Sequence, residues 1–137
     1  MEWNELVNTK TGTVLQHGKH SGIEYYIVCG PVSVVAYIRI PEGSPYLDSE
    51  YDDVGLDVHG GLTYKGTKWW EGEVEGSTGS LYFGWDYSHW QDRPFYDEMF
   101  RNNREIEWTD DLVLPEVLEA CEEFARMQTD EQEVSAL

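Results

Sequence analysis

Two histidines lie beside carboxylates on a glycine-permitted backbone, a pattern from which a metal site can be built. The first is in Asp57-Val58-His59-Gly60-Gly61-Leu62-Thr63-Tyr64. The second is in Phe83-Gly84-Trp85-Asp86-Tyr87-Ser88-His89-Trp90-Gln91-Asp92. Imidazole and carboxylate donors together suit zinc and related divalent ions. Asp86 and His89 are three residues apart, so a turn leaving a strand can aim both at one point. His59 would join them from a neighbouring strand edge. Asp92 is the expected fourth ligand, or the group that orients a ligand imidazole. Asp57 shares a face with His59 if that segment is a regular strand, since side chains alternate with period two. It is therefore a second candidate to orient an imidazole. Spacing alone also permits a plainer reading, a His–Asp hydrogen-bonded pair with no ion. His17 and His20 are expected to be exposed and structural.

The composition narrows the function classes. The chain has 137 residues, 40 % hydrophobic and 14 % aromatic, with six Trp and nine Tyr. That suits one compact domain with a real core and not a disordered chain. Twenty-seven Asp and Glu against nine Lys and Arg give a formal net charge of −18. Such a surface repels nucleic acid and anionic lipid and steers basic partners toward it. Cys29 and Cys121 have no CxxC spacing and are expected as two buried free thiols in a reducing cytosol. The first residues, Met1-Glu2-Trp3-Asn4-Glu5, carry neither a basic stretch nor an apolar one, so no signal peptide is expected. No apolar run approaches the roughly 20 residues that span a bilayer.

The elements that must position the histidines follow from periodicity. Residues 14–17 read as a short strand, and the glycines at 18 and 22 as the ends of a tight connection. Residues 23–29 and 32–40 are rich in β-branched and aromatic side chains and form a central antiparallel hairpin. Pro41-Glu42-Gly43-Ser44-Pro45 breaks the sheet. The carboxylates Asp48, Glu50, Asp52 and Asp53 are spaced as a calcium loop could be, but lack the glycine and terminal Glu of an EF-hand loop, so a solvated loop is preferred. Residues 56–59 read as a short strand. Lys68-Trp69-Trp70 reads as a strand pairing with 80–86 across a glycine- and glutamate-rich hairpin tip at 71–79. Leu114, Val117, Leu118, Cys121, Phe124 and Ala125 fall at helical spacing within a helix from about 112 to 128. The fold expected is α+β: one domain, an antiparallel sheet packed on a C-terminal amphipathic helix, with flexible ends at 1–12 and 129–137.

Several of these segments resemble a family of small phage and prophage proteins. That family shows an Ile-Pro-x-Gly-x-Pro turn, a DVHGGLTY segment, a WWxGFDxxHxxD segment and a C-terminal amphipathic helix. Here Ile40-Pro41-Glu42-Gly43-Ser44-Pro45, residues 57–64, residues 83–92 and residues 114–127 correspond, over roughly 23–128. Two departures stand out: Ser44 replaces a His common in the turn, and the insert 71–82 splits the Trp pair from the Gly-x-Asp run. The resemblance implies a small acidic protein acting in the cytoplasm of an infected bacterial host, similar in size and charge to type II anti-CRISPR proteins. On that reading it docks on a basic surface of an RNA-guided effector nuclease and blocks DNA loading. Its metal, zinc, would be structural, with four ligands drawn from His59, Asp86, His89 and Asp92. Glu71, Glu73 and Glu75 of the insert and Glu116, Glu119 and Glu123 of the helix are the candidate contacts. No direct nucleic-acid or membrane contact is expected. The rival is a metal-dependent hydrolase, with His59, Asp86 and His89 around an open position, Asp92 or Asp57 as general base, and Lys65, Lys68 or Arg93 available for phosphate. Binding is preferred over catalysis.

Overall fold

The computed structural model describes residues 1–70, 79–96 and 105–136, with side chains to 129. Five antiparallel strands form one sheet: β1 Val14–His20, β2 Ile23–Cys29, β3 Val34–Arg39, β4 Tyr64–Gly66 and β5 Tyr82–Asp86, in the order β1-β2-β3-β5-β4. Helix α2, Asp110–Ala136, packs across β1, β2 and β3. A single α+β domain results.

The strands form where β-branched and aromatic residues run together, and each buries a different set on each face. On the helix side Ile23, Ile27 and Cys29 of β2, Val34, Ala36 and Ile38 of β3, and Phe83 and Trp85 of β5 meet Val113, Val117, Ala120, Cys121 and Phe124. Those helix positions recur every three to four residues, so one stripe of α2 covers the sheet. The opposite face is covered by an aromatic layer of Tyr26, Tyr37, Tyr82 and Trp70. The Trp70 ring stacks on Tyr37 at 4.2 Å. Gly84 makes room for this layer: a Cβ there would lie 2.5 Å from the Tyr37 ring.

Several expectations are corrected. β1 runs through Gly18 to His20, and the turn is the two residues Ser21-Gly22, both at positive φ (53° and 79°). This two-residue turn matches the right-handed twist of its strands. Trp69 and Trp70 belong to no strand; β4, three residues earlier, pairs with β5, and Trp70 serves as the lid of the second face. Residues 56–59 are not a strand either. Burial still alternates there, with Val54, Leu56 and Val58 inside and Asp57 out, because the segment is extended but lies outside the ladder. The N-terminal residues include a short helix, α1 Trp3–Leu6, anchored by fully buried Leu6. Helix α2 begins two residues earlier and continues past 128, so Pro115 falls in its second turn, on the exposed side. The carboxylates of the 48–53 loop are exposed, as a solvated loop requires. The hairpin tip expected at 71–79 lies, apart from Gly79, outside the described residues.

Cys29 and Cys121 are free and buried, and burial pushes the Cys121 thiol up to about 12. Both are packing groups, not nucleophiles, because the reactive species is the thiolate. His17 stacks on Tyr26 at 4.0 Å and bonds Glu24, while His20 pairs with Glu122 of α2 at 2.9 Å. Among the described residues, no helix is long and apolar enough to cross a membrane.

Candidate metal centre

The site is assembled from three places in the chain. His59 stands at the end of the extended segment that follows the Tyr51–Asp53 3-10 turn, where Gly60 and Gly61, both at positive φ, reverse the chain. His89 and Asp92 stand on the turn that leaves β5. That turn is closed reciprocally: the Asp92 backbone N–H donates to the His89 carbonyl at 2.9 Å, and the His89 N–H donates to Asp92 Oδ2 at 2.9 Å. The three-residue spacing therefore has a local cause. Beyond it, a bridge between Asp92 and Ile106 holds the chain beside the 105–108 segment, which supplies Trp108.

Asp92 is the centre of the arrangement. Its side chain is 1 % exposed. Trp108 Nε1 donates to Oδ1 at 2.7 Å, and His59 Nε2 lies 2.8 Å from Oδ2. One ligand atom from each of His59, His89 and Asp92 lies within 4.8 Å of the others, and among the described residues this is the group that could hold a metal ion. Two nitrogens and a carboxylate oxygen fit zinc, iron or manganese by ligand type.

Asp86 and Asp57 take other places. Asp86 Oδ1 is 3.5 Å from His89 Nε2 but accepts from the Ser88 hydroxyl at 2.7 Å and its N–H at 3.2 Å, while Oδ2 accepts from Thr63 at 3.2 Å. Its carboxylate borders the three-residue group. Asp57 is exposed, and the carboxylate holding the His59 ring is Asp92.

The group that sequence reasoning placed wrongly is Glu116. Expected on a solvated acidic face, it turns inward from α2. Its Oε1 accepts from the Tyr87 hydroxyl, from Trp85 Nε1 at 3.1 Å and from the His59 N–H at 3.3 Å. Tyr87 in turn stacks on the His59 imidazole, centroids 4.7 Å apart and planes 13° apart. Burial, reinforced by the Glu116 carboxylate, holds the Tyr87 phenol well above its usual range, so it stays a donor. The signal was present in the sequence: position 116 lies three residues after Val113 and four before Ala120, at the edge of the apolar stripe. Trp108, missed as a donor to Asp92, had no such signal. Glu119 is exposed and Glu123 half-buried on α2; Glu71, Glu73 and Glu75 lie outside the described residues.

Gly60 sets how close the two histidines come. A Cβ on it would sit 2.0 Å from His89 Nε2. The His89 side chain, 40 % exposed, can relieve that overlap only by swinging away, which displaces the candidate ligand itself. Gly60→Ala is expected to weaken zinc binding at least about tenfold, the range seen when groups that orient a ligand are lost. Isothermal titration with zinc against Gly61→Ala, whose Cβ would meet nothing within 4 Å, separates this overlap from the backbone strain that both substitutions share.

No family model matches the chain, and neither a curated protein nor a solved structure matches it.

Proposed function

We propose that the protein binds one divalent ion, zinc being among those its ligand types fit, through His59, His89 and Asp92, and that the centre serves hydrolysis of a substrate that is not polyanionic. The convergence of three ligand atoms within 4.8 Å carries this reading. Among the described residues three protein ligands converge, the number that open, catalytic zinc centres use, whereas structural sites close with four. A bound ion there would supply an activated water or polarise a carbonyl. The protein groups would do the rest. Trp108 Nε1, donating to Oδ1, would fix the Asp92 carboxylate, and the Tyr87 ring stacked on His59 would fix its imidazole. Asp86, 28 % exposed and 3.5 Å from His89 Nε2, is a carboxylate within reach of a proton released at the centre. Half-exposed His89 and highly exposed Trp90 leave the approach open.

The substrate class supported is not polyanionic. Lys65 Nζ donates to the Leu47 and Ser49 carbonyls, Lys68 lies over the Tyr26 ring, and Arg93 pairs with Glu107. Each cation that the sequence left available for phosphate is engaged elsewhere.

A second reading is favoured by the net charge of −18. In it the protein is a phage-type inhibitor that docks on a basic surface of a host RNA-guided nuclease, and the ion only ties His59 to the 89–92 turn.

One experiment tests the centre and sorts the readings. Native protein purified without added metal is expected to carry about one equivalent, with His59→Ala and His89→Ala both losing it. The cobalt-loaded protein is expected to change its visible spectrum on adding azide, as an open position requires. A native protein that takes up no zinc or cobalt removes the centre altogether. A cobalt spectrum indifferent to azide leaves a closed ion and the inhibitor reading.

A further inference from the structure

A cleft of about 630 Å³ is lined by Glu2, Trp3, Asn4, Arg93, Phe95 and Glu107 among others, and by none of the three candidate metal ligands. We propose that this cleft seats an arginine side chain of a basic partner protein. The inference rests on the second reading above and gives that partner a specific seat.

The walls have the two parts that guanidinium recognition needs. Trp3 and Phe95 form a tilted aromatic pair with centroids 5.4 Å apart, and two carboxylates, Glu2 and Glu107, stand against one internal cation. Arg93 displays the same preference from inside the chain. Its guanidinium carbon lies 5.5 Å over the Trp3 ring while Nη1 reaches Glu107 Oε1 at 3.3 Å. A weakly hydrated planar cation gains from an aromatic face and a carboxylate together, which an ammonium matches less well. Asn4 and Asn8 complete the polar lining. The volume lies within the range of about 300–1,000 Å³ usual for specific small sites. One positive side chain against this lining leaves the cleft near neutral, and the −18 charge of the whole protein draws a basic segment toward it. A phosphate-bearing ligand would meet Glu2 and Glu107 instead.

The test uses the full chain and the tripeptide N-acetyl-Gly-Arg-Gly-amide, titrated by NMR while following the Trp3 indole N–H, which the Trp3→Leu variant assigns. The expected result is saturable binding to the native protein, weakened at least about tenfold by Glu2→Gln and by Trp3→Leu. The variant Glu42→Gln, exposed and outside the cleft, should leave it unchanged, and the citrulline analogue should fail to bind. Circular dichroism checks that each variant is folded, and Glu2→Gln keeps the test decisive if Trp3→Leu is not. Binding that ignores Glu2 and Trp3 and disappears at 0.3 M salt overturns the cleft while sparing the basic-partner reading. Equal binding of the citrulline peptide, or of adenosine in its place, shows a seat for uncharged planar groups and also overturns it. No binding of the arginine peptide overturns the cleft, and a simultaneous failure of polyarginine to bind removes the basic-partner reading with it.

Discussion

Asp92→Ala is expected to abolish stoichiometric zinc binding and to destabilise the metal-free protein by about 2–4 kcal/mol. The two effects have separate causes. Loss of metal follows from removing the one anionic ligand of a three-residue group. Loss of stability follows from what the carboxylate does without any ion. It accepts from Trp108 Nε1 and the His89 N–H and holds the His59 ring, at 2.7, 2.9 and 2.8 Å. Removing an acceptor that is 1 % exposed strands these donors, and each stranded donor costs about 1–3 kcal/mol, less where water can enter the gap. For a chain of this length that is a fall in Tm of roughly 10 °C. Thermal denaturation in chelator isolates this part. Repeating it in excess zinc should raise the native Tm and leave the variant where it was, because only a state that binds the ion is stabilised by it. Asp92→Asn sharpens the contrast. It keeps one acceptor oxygen and the volume, so much of the stability should return while zinc binding stays weak. A variant that still binds zinc as tightly as the native chain would place the ion elsewhere.

What the sequence disclosed and concealed divides along physical lines. The central hairpin was legible because Ile23 to Ile40 is a dense β-branched and aromatic run broken only by Gly30-Pro31. The helix was legible because Val117, Cys121 and Phe124 repeat at its period. Register and edge strands were not legible. Lys68-Trp69-Trp70 has strand composition, yet Trp70 is worth more as the cover of Tyr37 and Tyr82 than as a ladder residue, and three undistinguished residues, Tyr64 to Gly66, pair with β5 instead. At the site, His89 and Asp92 could be placed together because both lie in one turn. Their meeting with His59 rested on spacing that a bare hydrogen-bonded pair would share. Asp86 was drawn into the ligand group by its spacing to His89, but Ser88 and Thr63 hold it at the border. Glu116 was misassigned because acidity on a helix predicts solvent, which outweighed its place at the edge of the apolar stripe; the three donors that meet it come from distant parts of the chain.

Glu116 yields the second large effect. Glu116→Ala is expected to cost about 2–3 kcal/mol and to weaken zinc binding about 10–100-fold although Glu116 touches no ion. Its Oε1 gathers the Tyr87 hydroxyl, Trp85 Nε1 and the His59 N–H, so α2, β5 and the 54–59 segment meet on one oxygen. Without it, the Tyr87 hydroxyl and the His59 N–H lose this acceptor, Trp85 Nε1 is left with the Tyr87 oxygen at 3.0 Å, and the Tyr87 ring that lies flat on His59 loses its anchor. Glu116→Gln keeps an oxygen but not the charge that strengthens such bonds, and should cost about 1 kcal/mol. A double-mutant cycle of Glu116→Gln with Tyr87→Phe then tests the route. Coupling of about 1 kcal/mol or more, appearing also in the zinc affinities, is expected if Glu116 acts on His59 through Tyr87. Additive losses in stability with no change in zinc affinity would reduce Glu116 to a helix-docking residue. The distinction matters because, among the described residues, α2 carries no candidate ligand itself. If the coupling is found, the helix that closes the core also fixes the metal centre, and loosening it would release the ion before it unfolds the sheet.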